Sequence, residues 1–134
     1  MSWGGVKKQT NIENIKAWCE EMGIKNYTIN PQGEIDVDNN VDLDNTYFKE
    51  LPYKFGEVRG WFTLAYNKNL KSLKNCPDFI LNKHMFDIEG CSELDSLEWF
   101  PKIVKGTVYC KNCKRKFTEE EIRSICDVGF GIDN

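Results

Sequence analysis

Several features that would indicate an enzyme or a nucleotide-binding protein are missing from this 134-residue sequence. It contains one histidine, His84, so any Ser/His/Asp or Cys/His catalytic arrangement would have to be built around that residue. Neither GxGxxG nor GxxxxGKS/T occurs, which excludes the common glycine-rich phosphate-binding loops. Basic residues are not in excess, and a net charge of −3 argues against a protein built mainly to bind phosphates. We therefore expect a protein without catalytic activity and without a cofactor.

Long hydrophobic runs are also missing. No stretch approaches the roughly 20 apolar residues that cross a bilayer. The opening Met-Ser-Trp-Gly-Gly-Val-Lys-Lys lacks the apolar core of a secretory signal. The six cysteines are even in number, but without such a signal a reducing compartment is expected, where thiols act mostly as small apolar core groups. The sequence thus predicts a cytoplasmic protein with no membrane segment, and 134 residues suit one domain.

Two amphipathic segments near the ends of the chain predict helices. Residues 11–23 carry an apolar stripe at helical spacing, and Thr10 with Glu13 forms a capping box at its start. Residues 118–127 begin with a second capping box at Thr118. Each helix has one apolar side, so each is expected to pack on the segment between them and to cap one of its ends.

The middle of the chain, residues 24–113, is repetitive. Between Ile35 and Leu43, apolar and polar side chains alternate with the period of two that is typical of a strand. Leu-Lys-Ser-Leu at 70–73 returns as Leu-Asp-Ser-Leu at 94–97, an offset of 24 residues, and other matches occur at 21 and 22. These offsets predict four strands, at 35–43, 58–66, 80–88 and 104–111.

Repeats of this length predict a solenoid. Units of about 20–29 residues with one short strand each are typical of leucine-rich repeats. A single unit cannot bury its own apolar side chains, so it must stack on a neighbour. We therefore predict an α+β fold over residues 1–134, a short, irregular leucine-rich-repeat-like β-solenoid of about four strands, capped by an N-terminal and a C-terminal helix. The alternative is an ordinary α+β domain in which the matches are coincidental.

The offsets also predict which side chains become neighbours. Val37, Val58, Ile80 and Val104 are expected to stack on one another, and so are Phe62, His84 and Val108. Phe86 is expected beside Cys110. The alternate residues then point outward. The predicted outward rows are Asn40, Trp61, Lys83 and Thr107; Asp42, Thr63, Met85 and Tyr109; and Asp44, Ala65, Asp87 and Lys111.

This predicted outward surface is the candidate partner-binding site. The candidate residues are Trp61, Lys83, Met85, Tyr109 and Asp42. Three of them are large amphipathic side chains, two of which belong to the residue types that most often anchor interfaces, and solenoids commonly bind along their strands. The alternative is that a terminal helix, or residues 1–10 with Trp3, covers the patch. The acidic side chains from Asp36 to Asp44 would suit a basic partner.

Four segments in order resemble the leucine-rich-repeat-like accessory proteins of tailed bacteriophages. They are Asn-Tyr-Thr-Ile-Asn-Pro-Gln-Gly-Glu-Ile-Asp-Val-Asp at 26–38, Leu-Pro at 51–52, Phe-Gly-Glu-Val-Arg-Gly-Trp-Phe at 55–62 and Leu-Lys-Ser-Leu-Lys-Asn-Cys-Pro at 70–77. The resemblance covers about residues 11–113. It implies a phage protein that acts in the host cytoplasm on a host or phage macromolecule, with no catalytic motif to transfer. His84 and Cys110 depart from the aliphatic or aromatic groups that the family's strands usually bury.

A second functional hypothesis is a zinc-knuckle protein that binds nucleic acid. Cys110 and Cys113 are spaced to hold one side of a zinc ion, and the basic run 111–116 follows them closely. The remaining ligands would have to come from Cys91, Cys126 or His84. No second Cys-x-x-Cys occurs, and Cys110 also falls on the predicted core side of its strand. We therefore favour a protein partner and expect no metal.

Overall fold

Short apolar segments separated by turns wind this chain into a β-solenoid with two helices. A computed structural model describes the backbone of residues 3–134 and the side chains of residues 11–134. The elements are α1 (Trp3–Glu21), β1 (Tyr27–Ile29), β2 (Ile35–Val37), β3 (Val41–Asp42), β4 (Phe55–Val58), β5 (Phe62–Thr63), β6 (Phe79–Ile80), β7 (Phe86–Asp87), β8 (Ile103–Val104), β9 (Val108–Tyr109), α2 (Glu119–Ile125), β10 (Asp127–Val128) and β11 (Ile132–Asp133).

The strands form two stacks, one along each of two sides of the coil. Sheet 1 has the order β1-β2-β4-β6-β8-β10, and sheet 2 has the order β3-β5-β7-β9-β11. Each pass of the chain adds one strand to each sheet, and we call such a pair a rung. The five rungs are β2/β3, β4/β5, β6/β7, β8/β9 and β10/β11. Strands of successive rungs pair in parallel within each sheet, and β1 pairs antiparallel with β2. The predicted solenoid is confirmed.

Each predicted strand is divided in two by a turn. Residues 35–43, for example, form β2 and β3 with a bend at 38–40 between them. Val37 and Val41 are both buried on either side of this bend, so the alternating pattern continues through it. The bend lets the chain turn around the core while its apolar side chains stay inside.

The predicted vertical neighbours are confirmed in sheet 1 and only in part in sheet 2. In sheet 1 the stacked core residues are Val37, Val58, Ile80, Val104 and Val128. In sheet 2 they are Val41, Phe62, Phe86, Val108 and Ile132. The first four residues of the sheet 1 series are those that the sequence offsets predict.

The predicted core position of His84 is wrong. Phe86 pairs with both Phe62 and Val108, while His84 lies half-buried in the turn before β7. The turn from β6 to β7 is two residues longer than the turn from β4 to β5. Asn82 and Lys83 in it both have a φ of 62°. The constant offset of 22 therefore fails in sheet 2, and Cys110 stacks below Ile88 instead of Phe86.

Helix α1 begins earlier than predicted. It begins at Trp3, so Thr10 lies inside the helix and the predicted capping box there is wrong; the Thr10 side chain lies outside the described residues. The helix ends at Glu21, two residues before the predicted end. Gly23 has a φ of 72°, and the N–H of Ile24 donates to the carbonyl of Cys19 at 2.9 Å, which closes the helix as a Schellman motif does.

Helix α2 has the predicted capping box but a different place in the stack. The Thr118 side chain accepts from the N–H of Glu121, and the Glu121 carboxylate accepts from the N–H of Thr118. Two further strands, β10 and β11, follow α2 and form the fifth rung. The helix therefore lies between the fourth and fifth rungs in the chain, not after the last one as predicted.

A column of aromatic rings fills the core. Trp18 of α1 lies 5.9 Å from Phe55, and Phe55 lies 5.1 Å from Phe62, between ring centroids. Phe62 is followed by Phe86 at 6.3 Å and Phe86 by Phe100 at 5.3 Å. Aromatic pairs at these distances attract one another beyond the burial of their area. The column ties α1 to the rungs and fixes the positions of the two sheets.

Candidate functional site

The outward side of sheet 2, which we call the sheet 2 face, carries the candidate site. Its three rows follow from the strand register. They are Asn40, Trp61, Met85, Thr107 and Gly131; Asp42, Thr63, Asp87, Tyr109 and Asp133; and Asp44, Ala65, Glu89 and Lys111. In the third rung the observed face is therefore shifted by two positions along the chain from the predicted one, to Met85, Asp87 and Glu89.

The structure brings some of the predicted site residues together and separates others. Trp61 and Met85 are half-buried neighbours on adjacent rungs, joined by the backbone bond from Phe62 N to the Met85 carbonyl at 3.0 Å. Tyr109 lies one row further, on the same face. Lys83 is not part of it, because it is exposed in the long turn before β7.

Carboxylates dominate the other two rows. They occupy alternate rungs, the first with Asp42 and Asp44, the third with Asp87 and Glu89, and the fifth with Asp133. Since stacked strands lie about 4.8 Å apart, these acidic rungs repeat roughly every 10 Å. Lys111 is the one cation of the three rows, and it pairs with Asp133 at 3.1 Å. Sequence reasoning missed this alignment because it placed Asp87 in another row.

Small side chains occupy the second rung, between the first two acidic rungs. Thr63 and Ala65 are 4% and 2% exposed although they are on the outward side. The Asp44 carboxylate accepts from the Thr63 hydroxyl at 2.5 Å and from the Ala65 N–H at 2.8 Å. These contacts hold one carboxylate of the first rung firmly against the second.

Burial and neighbouring charges raise the pKa of two of these carboxyl groups. Burial raises the pKa of Asp44, and neighbouring Asp42 adds to the effect. Burial likewise raises the pKa of Asp87, and the charges of Glu89, Asp44 and Asp133 raise it further. Asp44 and Asp87 therefore hold their negative charge at a cost in desolvation and, to a smaller extent, in repulsion, and a bound cationic group would offset the repulsion.

The described part of α1 uses its apolar stripe on the core. Ile15, Trp18 and Cys19 are buried, and the Trp18 ring contacts Phe48 and Tyr53. These residues are therefore not available to cover Trp61 and Met85. The side chain of Trp3, the other predicted cover, lies outside the described residues.

The cysteines of the zinc hypothesis take structural positions. Cys110 is 1% exposed in the core, and the thiol of Cys113 donates to the carbonyl of Ile88 at 3.3 Å. Among the residues whose side chains are described, no three His, Cys, Asp or Glu groups come together as a metal site would require.

Asn67, Cys91 and Cys113 form a ladder at one corner of the solenoid. Each donates to a backbone carbonyl of the preceding rung. The acceptors are Leu43 for Asn67 at 2.8 Å, Leu64 for Cys91 at 3.1 Å and Ile88 for Cys113 at 3.3 Å. The sequence pattern that predicts this ladder is the recurring apolar-x-apolar-x-x-Asn/Cys. The repeat offsets alone do not predict it.

Ion pairs neutralise most of the basic run 111–116. They are Lys111–Asp133 at 3.1 Å, Lys114–Asp95 at 3.9 Å and Arg115–Glu121 at 2.8 Å. The guanidinium of Arg115 also lies 4.6 Å from the centre of the Phe117 ring. Its hydrogen bonds, more than any other contact, lower the pKa of Glu121 to about 2. These exposed pairs offset the charge of three of the four basic residues locally.

The buried thiols predict alkaline instability. Burial raises the pKa of Cys91 and Cys110 from 9.0 to about 12, and that of Cys113 to about 11. The folded state then holds these protons more tightly than the unfolded state, so its stability is complete below about pH 9 and falls as the pH rises above it. Urea unfolding under reducing conditions should show a lower free energy of unfolding at pH 10.5 than at pH 8.

A variant with fewer buried thiols provides the control for this pH dependence. Cys110→Val keeps an apolar side chain in the core and should lose part of the decline. Equal free energies of unfolding at the two pH values in the original protein would contradict the assignment of raised thiol pKa values.

In the part of the chain that the structure describes, neither helix has the length and apolar character needed to cross a bilayer. Compared with known proteins, the chain matches no family model, no curated protein and no solved structure.

Proposed function

We propose that this chain is a non-enzymatic protein-binding module whose sheet 2 face engages a basic segment of a partner protein. The observation that carries the proposal is the Trp61–Met85 pair, two large half-buried side chains on adjacent rungs with rows of carboxylates beside them. Apolar anchors of this kind supply most of the affinity of an interface. The surrounding charges select the partner and speed its approach.

The position of the face on paired strands supports this function. The backbone at Trp61 and Met85 is fixed by bonds to the next rung, such as Phe86 N to the Thr107 carbonyl at 3.0 Å. A partner therefore meets a surface that is already ordered, and binding requires little rearrangement of the chain. The carboxylates of the first, third and fifth rungs offer a cationic segment several contacts along one line.

The proposal includes the type of solenoid and its cap. The pattern apolar-x-apolar-x-x-Asn/Cys occurs at Phe62–Asn67, Phe86–Cys91 and Val108–Cys113, and it agrees with part of the leucine-rich-repeat consensus. Contacts of Trp18 with Phe55 support a capping role for α1 at the first rungs. The resemblance to phage accessory proteins supports a host or phage protein as the partner and the host cytoplasm as the place of action.

A paired substitution tests the face. Affinity capture from bacterial lysate, followed by quantitative mass spectrometry, should recover basic proteins with the original chain and lose them by about tenfold or more with Trp61→Ala/Met85→Ala. Recovery should also fall with added salt, because the charged contacts are exposed.

The sheet 1 face provides the matched control. Phe79 is 36% exposed and Ile103 is half-buried on adjacent rungs of that face. Phe79→Ala/Ile103→Ala should leave the captured proteins unchanged, with circular dichroism confirming that both variants fold. If the sheet 2 variant recovers the same proteins in the same yield as the control, the face is not the binding site.

A further inference from the structure

One side chain of α2 reaches the backbone of the fifth rung, which ends both sheets in the described part of the chain. The guanidinium of Arg123 donates to the carbonyl of Val128 through Nη1 and to the carbonyl of Phe130 through Nη2, both at 3.2 Å. Val128 belongs to β10, and Phe130 lies in the turn that leads to β11. A single planar side chain thus serves two backbone acceptors of this rung.

These two carbonyls are the ones at which a further rung would pair. Paired residues of the fourth and fifth rungs are 24 positions apart in both sheets, so Val128 and Phe130 correspond to Val104 and Gly106. The carbonyls of Val104 and Gly106 accept backbone N–H groups of the fifth rung, at 2.8 and 3.0 Å. Arg123 therefore supplies from a side chain the two donors that the backbone of a further rung would bring.

The helix holds the Arg123 guanidinium in place over this edge. Its Nε donates to the Glu119 carboxylate at 2.9 Å, one turn earlier on α2. All three nitrogen atoms of the guanidinium therefore have acceptors, and charge-assisted hydrogen bonds of this kind are stronger than neutral ones. Helix α2 is itself anchored in the core by Ile122, which is fully buried.

The opposite edge of sheet 2 is closed in a comparable way. Strand β3 ends the sheet on that side. The side-chain oxygen of Asn39 accepts from the N–H of Asn40 at 2.8 Å, and the carboxylate of Asp42 accepts from the N–H of Asp44 at 3.1 Å. Natural sheets block their edges with such devices because exposed backbone groups recruit strands from other chains.

We propose that Arg123 is a blocking contact, which closes the fifth rung against pairing with a second copy of this chain. Without the guanidinium, the edge would offer the carbonyls of Val128 and Phe130 as acceptors. It would also offer the N–H of Ile132 as a donor, because the N–H groups at the corresponding positions of the preceding rungs each donate to the following rung.

A second copy suits such an edge because the edge is complementary to itself. Strands that present both donors and acceptors can pair with identical strands around a twofold axis. Phe130, in the turn of this rung, is 64% exposed and would lose exposed surface in the pairing. This inference concerns the end of the solenoid and does not depend on binding at the sheet 2 face.

Arg123→Gln should open the edge, because a glutamine side chain is shorter and lacks the forked donors of arginine. The variant should fold, as circular dichroism can show. In size-exclusion chromatography with light scattering, its average mass should rise with protein concentration toward twice that of a single chain, while the original chain should keep the mass of a single chain. Amide hydrogen exchange at Ile132 should be slower in the associated variant than in the original chain.

Arg59→Gln is the matched control, since it removes the same side chain and charge from an exposed pair with Glu57 at 3.4 Å. It should keep the mass of a single chain. If Arg123→Gln does not fold, Arg123→Lys decides in its place, because lysine keeps the charge but cannot bridge both carbonyls as the fork does. The proposal is overturned if the folded Arg123 variant stays a single chain like Arg59→Gln, if the original chain associates equally, or if association leaves exchange at Ile132 unchanged.

Discussion

Replacing Asn67 by alanine is expected to lower the free energy of unfolding by about 3–4 kcal/mol, because several buried polar groups would lose their partners together. Asn67 is fully buried. Its amide donates to the carbonyls of Leu43 and Leu64 at 2.8 and 2.7 Å, and its oxygen accepts twice from Thr46. Urea unfolding followed by circular dichroism measures the loss.

Cysteine at the same position provides the comparison. Cys91 and Cys113 occupy this place in the next two turns and keep one bond each to the preceding rung, at 3.1 and 3.3 Å. Asn67→Cys should therefore be destabilised less than Asn67→Ala. A loss below about 1 kcal/mol for Asn67→Ala, the size of one ordinary hydrogen bond, would show that the ladder does not hold the corner.

Phe62→Ala is expected to lower the free energy of unfolding by about 3–5 kcal/mol, as the removal of a buried aromatic ring usually does. Phe62 is fully buried at the centre of the aromatic column, between Phe55 and Phe86. The cavity would open between two rungs and between the two sheets. Since small domains have a total stability of about 5–15 kcal/mol, this variant should melt at a much lower temperature.

Phe79→Ala is the control for the column. Phe79 points outward from sheet 1 and is 36% exposed, so its removal leaves no internal cavity and should cost about 1 kcal/mol or less. Similar losses for the two alanine variants, measured by urea unfolding at one pH, would mean that the rungs do not stack around Phe62.

The register of sheet 1 could be predicted from the sequence, while that of sheet 2 could be predicted only in part. Val58, Ile80 and Val104 follow the offsets because the segments that lead into them differ little in construction. The turn before Phe86 contains two additional residues. A constant offset of 22 from Phe62 therefore reaches His84, whereas the residue that pairs with Phe62 is Phe86. A polar histidine ring at a predicted core position indicates an error in the offset. Phe86, two residues later and on the same side of an extended strand, is the apolar residue that fits the core.

The candidate face was affected by the same two residues. The offsets predict Trp61 on the outward side, as the structure has it, but they place Lys83 beside it where Met85 lies. The correction joins two apolar side chains and moves Asp87 into line with Asp42. A mixed surface thus becomes one with an apolar pair and separate acidic rows, a difference that no composition or charge count reveals.

The missed strands, β1, β10 and β11, lie outside the four segments that the sequence offsets match. β10 and β11 contain two residues each, and they exist because the preceding rung offers its backbone for pairing. β1 has three residues and pairs through a turn at Gly33, which has a φ of 81°. Their formation depends on long-range contacts that alternation within a short segment cannot encode.

The stacking register beneath Trp61 and Met85 can be measured directly by NMR, through scalar couplings across backbone hydrogen bonds. We expect a correlation from the amide nitrogen of Phe62 to the carbonyl carbon of Met85, and equivalent correlations from Phe86 to Thr107 and from Val108 to Gly131. The donor–acceptor distances of these three bonds are all 3.0 Å. A correlation from Phe62 to Lys83 would contradict this register, because the ladder would then be shifted by two residues and Trp61 would no longer lie beside Met85.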